Sequence, residues 1–442
     1  MKISAKNKIL IKCVMLSIRR HYKLIIASIF LLWFYFCIPE ILFDNVYSTT
    51  IGDENGRLLG AKVATDGQWR FPEIDSLPKK YEIALVEFED GRFYNHTGFD
   101  FIAISRAFLQ NIKHGEIREG GSTITMQVIR LARKGKNRTI KEKIIEAILA
   151  MRLELKYTKK EILALYASHA PFGGNVIGIE AAAWRYFGRS VRELSWAEAA
   201  TLAVLPNSPS LIHVAKNRDL LIKKRDKLLE KLHKKNYLTD EDLRLAKAEN
   251  IPAQPHSLPM ETLHLFDLIA KNYNGQRVVT TINSEYQIKA AAILNRYSEK
   301  YKSNNVYNAA AVIIDVRANK VLAYVGNVGD INKNESSEHV NIITSPRSSG
   351  SILKPFLYAA MLDEGSILPN TLIADVPIHI SGFSPQNYDK TFDGAVPAHR
   401  ALERSLNVPS VRMLYNYNIE KFHFLLRQLG ITTLKKQASH YG

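Results

Sequence analysis

Apolar residues recur along this chain at two periods, and the change from one to the other divides it. From Tyr81 to about His233 the spacing is helical almost throughout. Ile140, Ile144, Ile148, Met151 and Leu155 fall on one side of a helix predicted over Thr139–Tyr157, and Ala197–Val204 form another that Pro206 stops. From Arg277 onward the pattern turns to strands, Val278–Ile282, Ala309–Ile314 and Val321–Val325, separated by helices. Residues 45–72 are β-rich, as in Thr49-Thr50-Ile51-Gly52 and Leu58–Val63. A Lys/Arg-rich helix around Leu220–Lys235 and the Pro-containing stretch Ile251–Pro259 read as a linker. The pattern predicts a mainly α domain over 44–235, a linker over 236–276 and an α/β domain over 277–442, with no internal repeat.

The N-terminal pattern is different again. Lys2, Lys6, Lys8, Lys12, Arg19, Arg20 and Lys23 precede an uncharged apolar run from Leu24 to Ile38, which resumes after Pro39 and Glu40 as Ile41-Leu42-Phe43. This predicts a basic cytoplasmic tail over 1–23 and a transmembrane anchor over 24–43, with everything beyond Asp44 outside. The uninterrupted run is fifteen residues, shorter than the roughly 20 a spanning helix needs, so a cleaved signal peptide is the alternative. No small-x-small cleavage site follows Ile38, which favours the anchor. Both cysteines, Cys13 and Cys37, precede Asp44, so no disulfide can join the outer domains.

Composition narrows the partner. The chain has 442 residues, 60 basic against 43 acidic, and a formal net charge of +17. That excess points to an anionic partner: nucleic acid, lipid headgroups or a pyrophosphate-linked substrate. No nucleic-acid-binding motif is present, and nucleic acid is set aside.

Two segments carry the chemistry. Glu89-Asp90-Gly91-Arg92-Phe93-Tyr94-Asn95-His96-Thr97-Gly98 sets an acidic pair in an aromatic surround, where burial raises a carboxylate's proton affinity toward that of a general base or acid. About thirty positions on, Gly120-Gly121-Ser122-Thr123-Ile124-Thr125-Met126-Gln127 opens a helix and offers backbone N–H groups and hydroxyls to an anion. Alone, Glu89 would be an ordinary surface acid. Likewise Lys143 and Glu146, three apart on a helix, would be a surface ion pair. His96 reads as a structural histidine and Asp90 as a loop anchor.

These two segments resemble the first two motifs of the peptidoglycan glycosyltransferases, the polymerising half of class A penicillin-binding proteins. Three more follow in family order: Lys143-Ile144-Ile145-Glu146, Ile162-Leu163-Ala164-Leu165-Tyr166, and Ala197-Glu198-Ala199-Ala200 through Leu205-Pro206-Asn207-Ser208-Pro209. Asp66-Gly67-Gln68-Trp69-Arg70-Phe71-Pro72 and Ala170-Pro171-Phe172-Gly173-Gly174 resemble the 1C type within that family. Two positions depart from it: Glu142 where arginine is usual, and Ala167-Ser168 where Leu-Asn is usual.

The resemblance implies a lysozyme-like helical domain that polymerises lipid II at the outer face of the bacterial inner membrane, with inversion at the donor anomeric carbon. Glu89 would be the general base on the acceptor 4-hydroxyl, and Glu146 would assist leaving-group or metal contacts. Lys143 would neutralise the pyrophosphate, with Arg130, Arg133, Lys134 and Arg138 behind it. Ser122, Thr123 and Gln127 would hold donor phosphate and sugar. No cofactor is required, although Mg or Mn at the pyrophosphate is compatible with the chemistry. Lipid II, the growing glycan strand and the inner membrane are the implied partners, with room for other cell-wall synthesis proteins.

The last region resembles a penicillin-binding transpeptidase. Gly350-Ser351-Ile352-Leu353-Lys354-Pro355-Phe356 and the later Ser405-Leu406-Asn407 supply two of its three elements. One helical turn would set Ser351 Oγ beside Lys354 Nζ, so that a neutral lysine could take the hydroxyl proton. The third element, Lys-Thr/Ser-Gly on a strand, does not occur. The expectation is an incomplete α/β transpeptidase domain over 277–442, inactive unless a second polypeptide completes it. A lysozyme-like glycan hydrolase and a non-catalytic penicillin sensor are the alternatives.

Overall fold

The structure is a computed structural model. It describes residues 21–24, 26–106, 121–134, 139–207, 217–252, 254–329, 337–380 and 382–440. The chain divides into two compact units between Ile343 and Thr344.

In the first unit the N-terminal segment is helical over 21–24 and 26–36 and ends in bends before Pro39, a residue that cannot continue a helix. Leu31, Leu32, Trp33 and Phe36 stand exposed around it. Among the described residues no helix is long and apolar enough to cross a membrane. The anchor expected over 24–43 is therefore helical along only part of its length.

The chain then forms a hairpin of β1 (Thr49–Gly52) and β2 (Leu58–Lys62). The Asp53 carboxylate closes its turn by accepting from the N–H groups of Asn55 and Arg57 at 2.8 and 2.9 Å. After β3 (Trp69–Arg70) come helices α1 (Lys79–Glu89), α2 (Ile124–Ala132), α3 (Ile140–Lys156) and α4 (Lys159–His169). Strands β4 (Pro171–Gly173) and β5 (Val176–Ile177) follow, with β5 between β3 and β4 in a small sheet. Helices α5 (Ile179–Phe187), α6 (Trp196–Val204) and α7 (Arg218–Lys234) complete the helical body. Thr123, Thr139 and Thr158 each accept a backbone N–H at a helix start.

The core of this body is built on fully buried Tyr81, Phe93, Tyr166, Phe172 and Tyr186. Alanine-rich α6 packs against both α1 and α7, because small side chains let helix backbones approach. On α3 the buried residues are Glu146, Leu149, Ala150 and Leu153. The apolar row that predicted the helix faces the other way: Ile140, Ile144 and Leu155 are 81%, 57% and 72% exposed.

Residues 236–276, read as a linker, carry α8 (Asp240–Ala248) and α9 (Leu263–Ala270). Phe266 of α9 is buried with Ile51 and Leu59. At Arg277, where the strand pattern begins, β6 (Arg277–Val279) adds in parallel to β1. Arg277 forks onto Glu180 at 3.0 and 2.5 Å. The patterning boundary therefore falls inside the first unit, which continues through α10 (Ser284–Tyr301) and the hairpin of β7 (Ala311–Asp315) and β8 (Lys320–Val325). Long-range strand pairing decides this, and local pattern does not report it.

The second unit contains α11 (Lys354–Asp363), a hairpin of β9 (Leu372–Asp375) and β10 (Gly394–Pro397), α12 (Ala398–Glu403), α13 (Asn407–Tyr417) and α14 (Ile419–Gln428). Leu357, Met361, Met413, Tyr417, Phe422 and Leu426 form its core.

Candidate active site

Glu89 is the last residue of α1, and the loop after it is pinned from two sides. Asp90 Oδ2 accepts the backbone N–H of Ile124 at 3.1 Å and faces His96 Nε2 at 3.0 Å. Thr123 Oγ1 donates to the Gly98 carbonyl at 2.6 Å while capping α2. Gly98 has φ +99°, and a Cβ there would sit 2.6 Å from the Ala150 carbonyl carbon, so only glycine fits against α3. Asp90 and His96 thus have the anchoring roles expected of them.

The carboxylate of Glu89 is held asymmetrically. Oε2 accepts from Gln127 Nε2 at 2.7 Å, and Oε1 is buried with no hydrogen-bond partner among the described residues. Burial pushes its proton affinity above the ordinary carboxylate range; the Gln127 hydrogen bond opposes this and the Asp90 charge adds to it. Tyr81 and Tyr166 are both buried within reach of its charge, which together with burial raises their phenols. The surround is aromatic and dry, as a raised carboxylate requires.

Glu146 is also buried, but its partner is not the one its spacing suggested. Arg130 forks onto it, Nε to Oε1 at 2.9 Å and Nη2 to Oε2 at 2.7 Å, and Nη2 also reaches Ser122 Oγ at 3.2 Å. Lys143 is exposed, with no hydrogen bond or ion pair among the described residues. Three positions on α3 separate an outward residue from an inward one, so the surface ion pair that spacing alone would give does not form, and the two side chains do not share a face as expected. Glu142, the departure from the family pattern, pairs with Arg133 at 2.6 Å. Arg130 engages both Glu146 oxygens, and no group of three or more His, Cys, Asp or Glu that could hold a metal ion is found among the described residues.

Of the other predicted residues, Gln127 and Ser122 reach the site, and Thr123 is used up in capping and loop closure. Arg138 lies outside the described residues. Sequence reasoning assigned Arg130 a secondary role and missed Lys224. That lysine, on α7, is partly desolvated, which lowers its proton affinity, and it feels the Glu89 charge. Its Nζ donates to Asn207 Oδ1 at 3.1 Å. The signal was present: Lys224 flanks the stripe formed by Leu221, Arg225, Leu228 and Leu232, the buried face of α7. A polar chain supports the base loop from beneath. Thr125 Oγ1 and Lys159 Nζ both donate to Glu154 Oε1 at 2.7 Å, and Lys159 also donates to the His96 carbonyl.

In the second unit Lys354, Ser405 and Asn407 come together as predicted. Lys354 Nζ donates to the Ser405 carbonyl at 2.6 Å, to Ser405 Oγ at 3.3 Å and to Asn407 Oδ1 at 2.7 Å. Desolvation lowers its proton affinity. Ser405 holds a left-handed backbone, φ +53°. Ser351 is exposed in a 3₁₀ turn ahead of α11, and no hydrogen bond joins its Oγ to Lys354 Nζ. The one-turn spacing puts the pair on neighbouring turns, but the lysine is turned to α13. Leu353, Lys354, Phe383, Asn407, Leu414 and Phe422 border a cavity of about 590 Å³.

A transglycosylase family model matches residues 56–233, and a penicillin binding protein transpeptidase domain model matches residues 309–440. The chain belongs to the penicillin-binding proteins that join these two domains. It is 34% identical over 379 residues to penicillin-binding protein 1C of Escherichia coli (strain K12), covering 86% of this chain and 49% of that protein. It is 28% identical over 406 residues to penicillin-binding protein 1F of Bacillus subtilis (strain 168), covering 87% of this chain and 55% of that protein. A crystal structure of penicillin-binding protein 1A from Haemophilus influenzae matches with a TM-score of 0.40 at 18% identity, covering 88% of this chain and 64% of that chain. The chain spans about half the length of the curated relatives it matches.

Proposed function

We propose that this chain is a peptidoglycan glycosyltransferase that polymerises lipid II with inversion, using Glu89 as general base. The observation that carries the reading is the Glu89 carboxylate, with one oxygen fixed by Gln127 and the other buried and without a partner among the described residues. A carboxylate so placed takes the proton of an acceptor hydroxyl as that oxygen attacks the donor anomeric carbon, and the pyrophosphate departs on the far side. Arg130, Ser122 and Lys224 surround the same space with donors suited to an anion, and Lys143 is exposed to meet the outer phosphate. A glycoside hydrolase would call on a second free carboxylate; Glu146, bound by Arg130, does not offer one.

The exposed row of α3, with the basic Lys141 and Lys143 beside it, supports a membrane-facing surface next to the site. Arg152 donates to the Tyr35 carbonyl and Lys156 to those of Pro39 and Glu40, joining α3 to the end of the N-terminal helix. In this reading 24–43 is the membrane anchor, the helical body is lysozyme-like, and the site opens toward the outer leaflet. The second unit, with Lys354 committed to Ser405 and Asn407, is not poised to activate Ser351, and transpeptidation is not assigned to it.

The test is incubation of purified full chain in detergent with labelled lipid II, resolved on a gel. Polymer that disappears in Glu89→Gln supports the reading. Shortening of preformed glycan without polymer would replace it by the hydrolase.

A further inference from the structure

Lys223, Lys227, Lys231 and Lys235 recur at every fourth position along α7 and its C-cap, a row of ammonium groups about 18 Å long on one side of the helix. Lys223 and Lys227 are exposed and have no hydrogen-bond or ion-pair partner among the described residues. Lys231 and Lys235 converge on the buried Glu87 carboxylate at 3.3 and 2.8 Å, which sets that end of the row against α1 two residues before the candidate base. A Cβ at Gly91 would lie 3.8 Å from Lys231 Nζ, so the row passes the loop that follows Glu89. Lys224, one position round the helix, is within electrostatic reach of Glu89 itself.

We infer that this row is a track for a carboxylate-bearing peptide carried on the glycan as it passes the site, an inference that rests on the glycosyltransferase reading. Lysines four apart on a helix are about 6 Å apart along the axis. Alternate side chains of an extended peptide repeat at about 6.6 Å on one face. Two carboxylates on alternate residues of such a peptide therefore match Lys223 and Lys227, the two lysines of the row that Glu87 does not engage. A single phosphate calls instead for convergent donors or an arginine fork, and the row offers point charges in a line. A lipid-facing helix would carry large apolar residues among its lysines. On α7 Leu220 is the one large hydrophobic that is exposed, at the start of the helix, whereas α3 exposes Ile140, Ile144 and Leu155.

The experiment uses full-length chain with Lys223→Glu and Lys227→Glu together, and a milder pair, Lys223→Gln and Lys227→Gln. Lys231 and Lys235 are left alone because they hold Glu87. Two labelled lipid-linked disaccharides serve as substrates, one with the natural peptide and one with its carboxylates amidated. Loss of two exposed ion pairs predicts a KM about fivefold higher for the first substrate in the Glu variant. It also predicts unchanged kcat, a smaller shift in the Gln variant, and no change with the amidated substrate. Anisotropy with the soluble disaccharide-peptide should weaken by the same factor, and it decides the question even if the wild type forms no polymer, in which case only the glycosyltransferase reading falls. Equal KM and equal peptide binding in all proteins would overturn the inference. So would a loss found with both substrates alike, or one found only in binding to phosphatidylglycerol vesicles.

Discussion

Gln127 donates its side-chain N–H to Glu89 Oε2 at 2.7 Å, and Oε1 of the same carboxylate is buried with no partner among the described residues. The amide fixes the carboxylate's rotation and leaves one oxygen for a proton. Glu89→Gln keeps shape and size while removing the base, and should lower lipid II polymerisation by about 10²–10⁴-fold. A variant retaining more than about a third of the wild-type rate would remove Glu89 from the mechanism.

The raised proton affinity of Glu89 makes two pH predictions. Because the base acts when ionised, activity should fall toward acid with a limb above the ordinary carboxylate range, set first by burial. For stability the sign is opposite. The folded protein binds this proton more tightly than the unfolded chain, so the group's contribution is greatest below the unfolded value near ~4.3 and is lost as pH rises through the folded one. Thermal melts of wild type and Glu89→Gln should coincide in acid, with the variant melting progressively higher toward neutral pH.

Arg130, partly buried, forks onto the buried Glu146 as a bidentate pair. Arg130→Ala strands the carboxylate and should cost about 3 kcal/mol in urea denaturation. Arg130→Lys keeps the charge without the fork and should recover only part of it. Lys143→Ala, at an exposed position, should leave stability within about 0.5 kcal/mol of wild type, so an activity loss there would be read as contact with substrate.

Lys354 spends its ammonium protons on Ser405 and Asn407 rather than on Ser351. Fluorescent penicillin should therefore give no covalent band on this chain after a denaturing gel. A band abolished by Ser351→Ala would show that the lysine turns to the serine on binding.

Ile140 and Ile144 are exposed on α3. Replacing both by Ser should leave the melting temperature unchanged and weaken binding to anionic vesicles, measured by co-sedimentation. A lower melting temperature with unchanged vesicle binding would mean that the row packs against protein.

Helical and strand periods and the Glu89–Gly98 loop were legible from residues alone, because each depends on neighbours a few positions away. A turn needs its glycine wherever the fold places it, and Asp90 and His96 could be assigned as anchors on that ground. The family resemblance also implied that a carboxylate, an amide and several cations serve one reaction. What it left open was which of them meet. Periodicity specified that 139–157 is a helix and not which face is covered, since Leu149 and Leu153 are as apolar as Ile140 and Ile144. Packing against α2 and the base loop covered the first pair and turned Glu146 inward to Arg130, away from Lys143. The same holds for Lys224, brought to Glu89 from more than a hundred positions away, and for Arg277, drawn into the first unit by pairing with β1. Such contacts depend on the summed burial of whole helices and strands, which the tertiary structure alone decides.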